Sequence, residues 1–443
     1  MSEKLFSIKV FGCQMNVYDA GRLRAAMSER GWRETENIDE SDCAIFVTCS
    51  VRDKAEQKVL SELGRFKASW ERNKRPRIAM IGCMAERVGA ELPKKFPWVR
   101  VVAGPRQLGA VPDAIVDSCE NGGLHIISNE DPNARCDLSC ATAPHDNPHK
   151  AYITIAHGCD QFCSYCIVPY VRGRFISRSP DEILVEAERL VKGGVKEITL
   201  LGQNVNTYGR DFDGVRSPYR FADLLRDVSS IKNLLRLRFT TSHPVDFSDD
   251  ILDVMSRGGN ICPSVNLPVQ AGSDKVLREM NRRYTRAEYL ALIGRIRDAL
   301  PEVSITTDLI VGFPGENEDE FEESVSLFEE VRFDLAHTAA YSPREGTPAA
   351  AREDQIPGRE RARRLVRINE IQTNISREIN RSMEGRIFEV MLDEAAQKGE
   401  CLLQGRTATD KVVLVKAPQE MSGSICNVRV TSSSPWCLEG ELL

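Results

Sequence analysis

Over the first 118 residues, short apolar runs alternate with segments whose apolar positions recur at helical spacing: 7–11 then 20–30, 43–47 then 51–70, 77–81 then 85–96, 99–103 then 108–116. Four such strand–helix units predict a small parallel α/β domain, because parallel strands need a crossover between them. Residues 120–149 lose this periodicity and fill with Asn, Asp, Pro and Gly, which reads as a linker. From 151 to 340 the alternation resumes, with strands near 152–155, 197–201, 234–239, 262–267, 303–311 and 335–341. Six units predict an open (βα)6 barrel rather than the closed eight-fold form. Residues 343–351 form a turn-rich bridge and 359–380 one long basic helix; beyond 382 the period changes to short strands near 386–392, 401–407, 412–416 and 425–431. That tail predicts a small five-stranded β-barrel. The expected class is α/β, with an N-terminal domain over 4–120, a linker over 121–148, a central barrel over 149–376 and a C-terminal β-barrel over 377–443.

Composition narrows the picture. The 443 residues are 42% hydrophobic and 28% charged, and 59 Lys plus Arg against 65 Asp plus Glu give a net charge of −6, which is that of a folded, water-facing chain rather than a disordered one. No apolar core of a secretion signal follows Met1, and no run of about 18 apolar residues occurs, so no membrane association and a cytoplasmic location are expected. In a reducing compartment 14 cysteines do not make a disulfide framework; they point to metal or redox chemistry. Three of them share one position: Cys13, Cys49 and Cys83 each close a predicted strand at its C-terminal end. Ligands of open parallel sheets bind at that edge. The alternative is that they are small buried hydrophobes. Cys43, Cys119, Cys262, Cys401, Cys426 and Cys437 lack such a context and read as packing residues, and Cys136 and Cys140 as incidental linker thiols.

The most specific signal is Cys159-Asp-Gln-Phe-Cys163-Ser-Tyr-Cys166, a C-x3-C-x2-C loop just after the first barrel strand. Three thiolates at this spacing can hold three irons of a [4Fe–4S] cluster and leave the fourth iron open for a chelating ligand. A closed zinc site, with His157 as fourth ligand, is the alternative, although zinc usually takes C-x2-C pairs.

With this loop stand Phe11-Gly-Cys-Gln-Met-Asn-Val-Tyr-Asp19, Thr48-Cys-Ser-Val-Arg-Asp-Lys-Ala-Glu-Gln-Lys-Val59, Gly82-Cys-Met-Ala-Glu-Arg87, Leu200-Leu-Gly-Gln-Asn-Val-Asn206, Thr240-Thr-Ser-His-Pro244 and Tyr341-Ser-Pro-Arg-Glu-Gly-Thr-Pro348. Together they resemble the radical S-adenosylmethionine methylthiotransferases over nearly the whole chain. Two positions depart from the family pattern: Val47 stands where Asn is usual before Thr-Cys, and Phe175 where Glu is usual after Arg-Gly-Arg.

The resemblance implies two [4Fe–4S] clusters, one on Cys159, Cys163 and Cys166 and an auxiliary one on Cys13, Cys49 and Cys83, all six taking part in catalysis. It implies that one S-adenosylmethionine (SAM) methylates a sulfur carried by the auxiliary cluster. A second is cleaved to the radical that attacks C2 of N6-isopentenyladenosine next to the anticodon of a tRNA. Sister enzymes act instead on threonylcarbamoyladenosine or on a ribosomal-protein aspartate. Gln203 and Asn204, at the end of a barrel strand, are the expected contacts to the SAM amino group. Asp308, before a Gly-rich turn, and Gln270 and Ser273 are further SAM candidates. Phe162, Tyr165 and Phe175 are candidates to line the adenosine pocket, and Arg278, Arg282 and Arg283 read as a solvated helix face. The expected partners are tRNA, an electron donor and a sulfur donor, with the chain a monomer and its C-terminal barrel an RNA-binding TRAM domain. The basic runs over 65–77 and 359–381 are either phosphate-neutralising patches or solvated surface.

Overall fold

A computed structural model describes residues 3–50, 53–128, 147–212, 219–395 and 402–443. The chain forms two compact units: Met1–Asp146 with Tyr152–Gln161 and Cys166–Ser179, and Asn147–Ala151 with Phe162–Tyr165 and Pro180–Leu443.

The first unit is built on a parallel sheet in the order Arg33–Glu34, Leu5–Phe11, Cys43–Thr48, Arg77–Gly82, Val99–Ala103, His125–Ile127. Its central strands are continuous apolar runs because both faces are covered. Ile45, Val47, Ala79 and Ile81 pack on one side with Leu23, Met27 and Ile115, while Ala44, Phe46, Ile78 and Met80 pack on the other with Val59, Leu63 and Trp98. Cys43 and Cys119 lie in the first of these cores, as packing residues should.

The expected strand over 99–103 is matched by Val99–Ala103, but two helices differ from expectation. The first starts at Gln14, well before residue 20, and the segment expected as one helix over 51–70 is two, Asp53–Arg65 and Lys67–Asn73. The break frees buried Phe66 to turn onto Phe46, with ring centroids 6.1 Å apart. Residues 125–127 of the expected linker form the edge strand of the sheet; 129–146, with Cys136 and Cys140, lie outside the described residues.

In the second unit Glu197–Leu201 pairs in parallel with Arg236–Thr240, and Ser264–Asn266 with Ser304–Val311 and then Leu335–Ala340. A parallel bridge between Leu237 and Ile261 links the two ladders, so five parallel strands of this unit follow one another in chain order, as the open form expected requires. The C-terminal barrel is closed, in the order Ile387–Ala395, Leu402–Thr407, Val412–Lys416, Leu438–Leu442, Ile425–Ser433, around Val390, Leu392, Leu403, Val413, Val428 and Leu438. Cys401 lies outside the described residues. Buried Arg236 and Arg238, on a strand of the open barrel, fasten the closed one by donating to the carbonyls of Arg406, Thr407 and Ala408.

The helix Gly358–Arg381 runs through the boundary expected at 376/377. Its arginines are not a free cationic face. Arg363 pairs with Glu318 and Glu360, Arg364 with Glu316, and Arg367 with Glu322. The helix docks on acidic side chains of its own unit, which removes much of the phosphate-binding role that its composition suggests.

Candidate functional site

Strand register places the first set of cysteines. Phe11 is level with Thr48, and Thr48 with Gly82, so the segments that follow leave the sheet side by side. Those segments carry Cys13, Cys49 and Cys83. Adjacent strands are spaced about 4.8 Å apart, so the three thiols span two such gaps and suit a group broader than one ion. Among the described residues no group of three or more His, Cys, Asp or Glu side chains is drawn together as a single-ion site.

Two glycines allow the close approach. A Cβ on Gly12 would stand 3.0 Å from Cys49 Cβ, and one on Gly82, whose φ is +105°, would stand 2.4 Å from the Thr48 carbonyl. Asn16, fully buried in the first turn of the helix Gln14–Glu29, ties the ends together. Its Oδ1 accepts from Cys13 N at 3.1 Å and its Nδ2 donates to Thr48 O at 3.2 Å.

Around these thiols the first unit buries charge. Arg172, 3% exposed on the short helix Val168–Arg172, donates from Nε to Cys83 Sγ at 3.2 Å, and its Nη2 stands 3.6 Å from Asp19 Oδ2. Among the described residues neither Arg172 Nη2 nor Asp19 Oδ1 has a hydrogen-bond partner. Arg106 holds the same helix by donating to the carbonyls of Arg172 and Arg174, at 2.5 and 2.7 Å. The Cys49 hydrogen bond first, then the Arg172 charge, lower the Cys13 thiol to about 5, whereas burial raises that of Cys83. Burial also lifts Asp19 to about 6 against the pull of Arg172, and drives His157 well below its usual value, with Arg172, Arg178, Arg22 and Arg106 adding to the effect. This is a donor set of soft sulfurs next to an incompletely paired cation, which fits an anionic iron–sulfur group.

The second set lies on the loop that leaves the strand end. In the first unit Cys159 N donates to Gly173 O at 3.1 Å, and Gly158, with φ +72°, leaves no room for a Cβ beside Arg174 O. Cys163 belongs to the second unit. Its buried Sγ accepts from Arg282 Nη1 at 3.5 Å, while Arg282 also donates to Pro268 O and Tyr284 Oη. The neighbouring residues are pinned by Ser164 N to Met280 O, Ser164 Oγ to Glu279 O and Asn281 Nδ2 to Phe162 O. Arg282 is therefore not part of a solvated face. It is 8% exposed and joins the cysteine loop to the strand end that precedes Gln270.

The SAM candidates divide between two networks. Gln270, with φ +71°, donates from its backbone to Asp308 O and accepts from Ile310 N, and Asn266 Nδ2 donates to Asp308 Oδ2 at 3.2 Å. Ser273 follows as the buried residue before the helix Asp274–Glu279. Gln270, Ser273 and Asp308 thus share one rim. Asn204 lies at the end of another strand, 2% exposed, and both ends of its amide are engaged, with Asp246 at 2.6 Å and with His243 N at 3.2 Å. It braces the turn that carries half-buried Gln203. Burial, with Arg282, Arg283 and Arg210 nearby, lowers His243 to about 2.

Of the two family departures, Val47 is a core residue in one cluster with Ile45 and Ile81, and Phe175 is half-buried with its N–H on Asp160 Oδ1 at 3.2 Å. The roles of Arg172, Asp19 and Arg282 escaped the sequence reading. The only available signal was charge at positions where the chain otherwise buries itself.

Residues 5–104 match the uncharacterized protein family UPF0004, and residues 153–328 the Radical SAM superfamily. The chain is 41% identical to the tRNA-2-methylthio-N(6)-dimethylallyladenosine synthase of Acetivibrio thermocellus, over all of this chain and 91% of that protein. It is 41% identical to the protein of that name from Aquifex aeolicus, over 100% and 99%, and 38% identical to that from Bacillus subtilis, over 99% and 86%. Among solved structures, the radical S-adenosylmethionine methyltransferase TsrM from Kitasatospora setae aligns with TM-score 0.56 over 79% of this chain and 74% of its own. At 13% identity this is a likeness of fold.

Proposed function

The chain belongs to the tRNA-2-methylthio-N(6)-dimethylallyladenosine synthase family, and from that premise we propose that it adds a methylthio group at C2 of N6-isopentenyladenosine beside the anticodon of tRNA. The observation that carries this reading is the in-register trio of strand ends bearing Cys13, Cys49 and Cys83 beside the buried Arg172. An enzyme that only cleaved SAM would need the C-x3-C-x2-C loop and no second sulfur-rich edge.

When bound, SAM and two [4Fe–4S] clusters supply the methyl group, the electron and the hydrogen-abstracting chemistry. The protein's task is to hold and orient. Cys159, Cys163 and Cys166 would hold one cluster, and Cys13, Cys49 and Cys83 the other. Gln203 and the Gln270, Ser273 and Asp308 rim orient SAM, while Asn204 acts through the turn it braces. Phe162, Tyr165 and Phe175 shield the adenosine from water, and the C-terminal barrel engages the RNA. A cytoplasmic monomer served by an external reductant and a sulfur donor completes the reading. Among the described residues no helix is long and apolar enough to cross a membrane. The sister substrates are not favoured, since relatives matching the full length carry the dimethylallyladenosine name.

Paired substitutions test it. Cys163→Ala should abolish reductive cleavage of SAM, and Cys49→Ala should leave cleavage intact while ending formation of the methylthio product. Methylthiolated RNA from the Cys49 variant would remove the auxiliary cluster from the reaction.

A further inference from the structure

Arg172 sits six residues beyond Cys166, on the helix that leaves the cysteine loop, yet its guanidinium reaches the strand-end site instead. Its position there is specific. Nε points at Cys83 Sγ at 3.2 Å, Nη2 faces Asp19 at 3.6 Å without completing a hydrogen bond, and the whole side chain is withdrawn from water. Arg282 differs, because it divides its donors between Cys163 Sγ, a backbone carbonyl and a tyrosine hydroxyl, the pattern of a structural tie. Among the described residues the side-chain partners of Arg172 are a sulfur and a partly satisfied carboxylate. Arg106 anchors the backbone that carries it through the carbonyls of Arg172 and Arg174.

We propose that Arg172 is a positioning residue that sets the reduction potential of the auxiliary cluster, with Asp19 as its counterweight. The inference rests on the reading that Cys13, Cys49 and Cys83 hold that cluster. Three thiolates around a doubly positive four-iron core leave a net negative charge, and reduction adds one more. A cation donating a hydrogen bond to a ligand sulfur in a low-dielectric site stabilises the reduced form more than the oxidised one. Asp19, close behind, works in the opposite direction and limits the effect. The same balance favours an anionic sulfur attached at the open iron.

The test uses the full chain carrying Cys159→Ala, Cys163→Ala and Cys166→Ala, so that only the auxiliary site takes up iron on anaerobic reconstitution. Iron and sulfide per chain are measured first, then the midpoint potential by redox titration followed by electron paramagnetic resonance. Arg172→Gln should keep four irons while its oxidised-to-reduced ratio at fixed potential rises about tenfold, a fall of about 59 mV for one electron. Arg172→Lys should move the potential less, and Asp19→Asn should move it upward. The opposite sign for Asp19 keeps the test decisive if Arg172→Gln does not fold, since a purely structural pair would give iron loss in both variants and no shift of opposite sign. Full iron in every variant with an unmoved potential overturns the inference alone. An absence of iron from the parental triple variant overturns the reading beneath it, and the inference with it.

Discussion

Gly82→Ala is a sharp test of how the fold brings the strand-end cysteines together. Gly82 has φ +105° and ψ −161°, a region essentially closed to residues with a Cβ, and its missing Cβ would stand 2.4 Å from Thr48 O. The neighbour is backbone, so nothing flexible can swing aside. Adopting such a dihedral costs about 1–3 kcal/mol, and overpacking against a fixed neighbour about 1–3 kcal/mol more. The sum, about 2–6 kcal/mol, is a large part of the 5–15 kcal/mol that holds a typical domain. Relief requires the strand before Cys49 and the strand before Cys83 to part, which is the spacing the proposed auxiliary site depends on. Because a chain of two units need not unfold in one step, the assay should be local. Trp32, Trp70 and Trp98 all lie in the first unit, so tryptophan fluorescence during denaturation reports mainly on it, and iron content reports on the site. The expectation is an earlier first-unit transition and loss of auxiliary iron. Gly294→Ala, in the helix Arg286–Ala299 with nothing within 4 Å, serves as control and should gain about 1 kcal/mol of helix stability with iron unchanged. A Gly82→Ala protein with an unmoved transition and full iron would refute the reasoning that this close approach sets the site.

Other outcomes follow from the same geometry. In the apoprotein the Cys13 thiol is lowered to about 5, so it is already thiolate at neutral pH, and its alkylation by iodoacetamide, followed by peptide mass spectrometry, should be nearly flat from pH 7 to 9 and fall only as pH drops through about 5. A tenfold rise per pH unit between 7 and 8 would show an ordinary thiol. Arg364→Met leaves Glu316, fully buried 2.8 Å from the lost guanidinium, without its partner, and should destabilise the second unit by about 3–5 kcal/mol in denaturant titration followed by hydrogen exchange of that unit. An effect under about 1 kcal/mol would mean that Glu316 finds another partner or takes up a proton at no cost. Raising salt should weaken RNA binding by this chain less steeply than the arginine count of the helix Gly358–Arg381 suggests, because Arg363, Arg364 and Arg367 are already paired with glutamates; a slope reporting all of them as phosphate contacts would contradict that pairing.

Much of the architecture was legible because it rests on uninterrupted apolar runs. Glu197–Leu201 and Val412–Lys416 stand where the pattern puts them, and so do the strands that end at the cysteines. The failures are physically informative. The helix Gln14–Glu29 begins earlier than its apolar spacing indicates because its first turns bury the polar residues Asn16, Asp19 and Arg22, and these hide the periodicity. His125–Ile127 is too short, and too exposed on its sheet edge, to leave a signal. That Cys13, Cys49 and Cys83 follow neighbouring strand ends was legible in the apolar runs before them. Arg172 and Asp19 were not, since 153 residues separate them in sequence and only the folded first unit makes them neighbours. Asn204 shows the reverse limit, for a motif can identify a turn without revealing that its most polar side chain is engaged in bracing that turn.

The most direct measurement takes anaerobically reconstituted protein with reductant, SAM and tRNA bearing N6-isopentenyladenosine, and reads nucleosides and 5′-deoxyadenosine by mass spectrometry. The account predicts both 5′-deoxyadenosine and the 2-methylthio nucleoside. Neither product, from protein with full iron at both sites, would contradict it; 5′-deoxyadenosine without the modified nucleoside would contradict the substrate while leaving the radical chemistry in place.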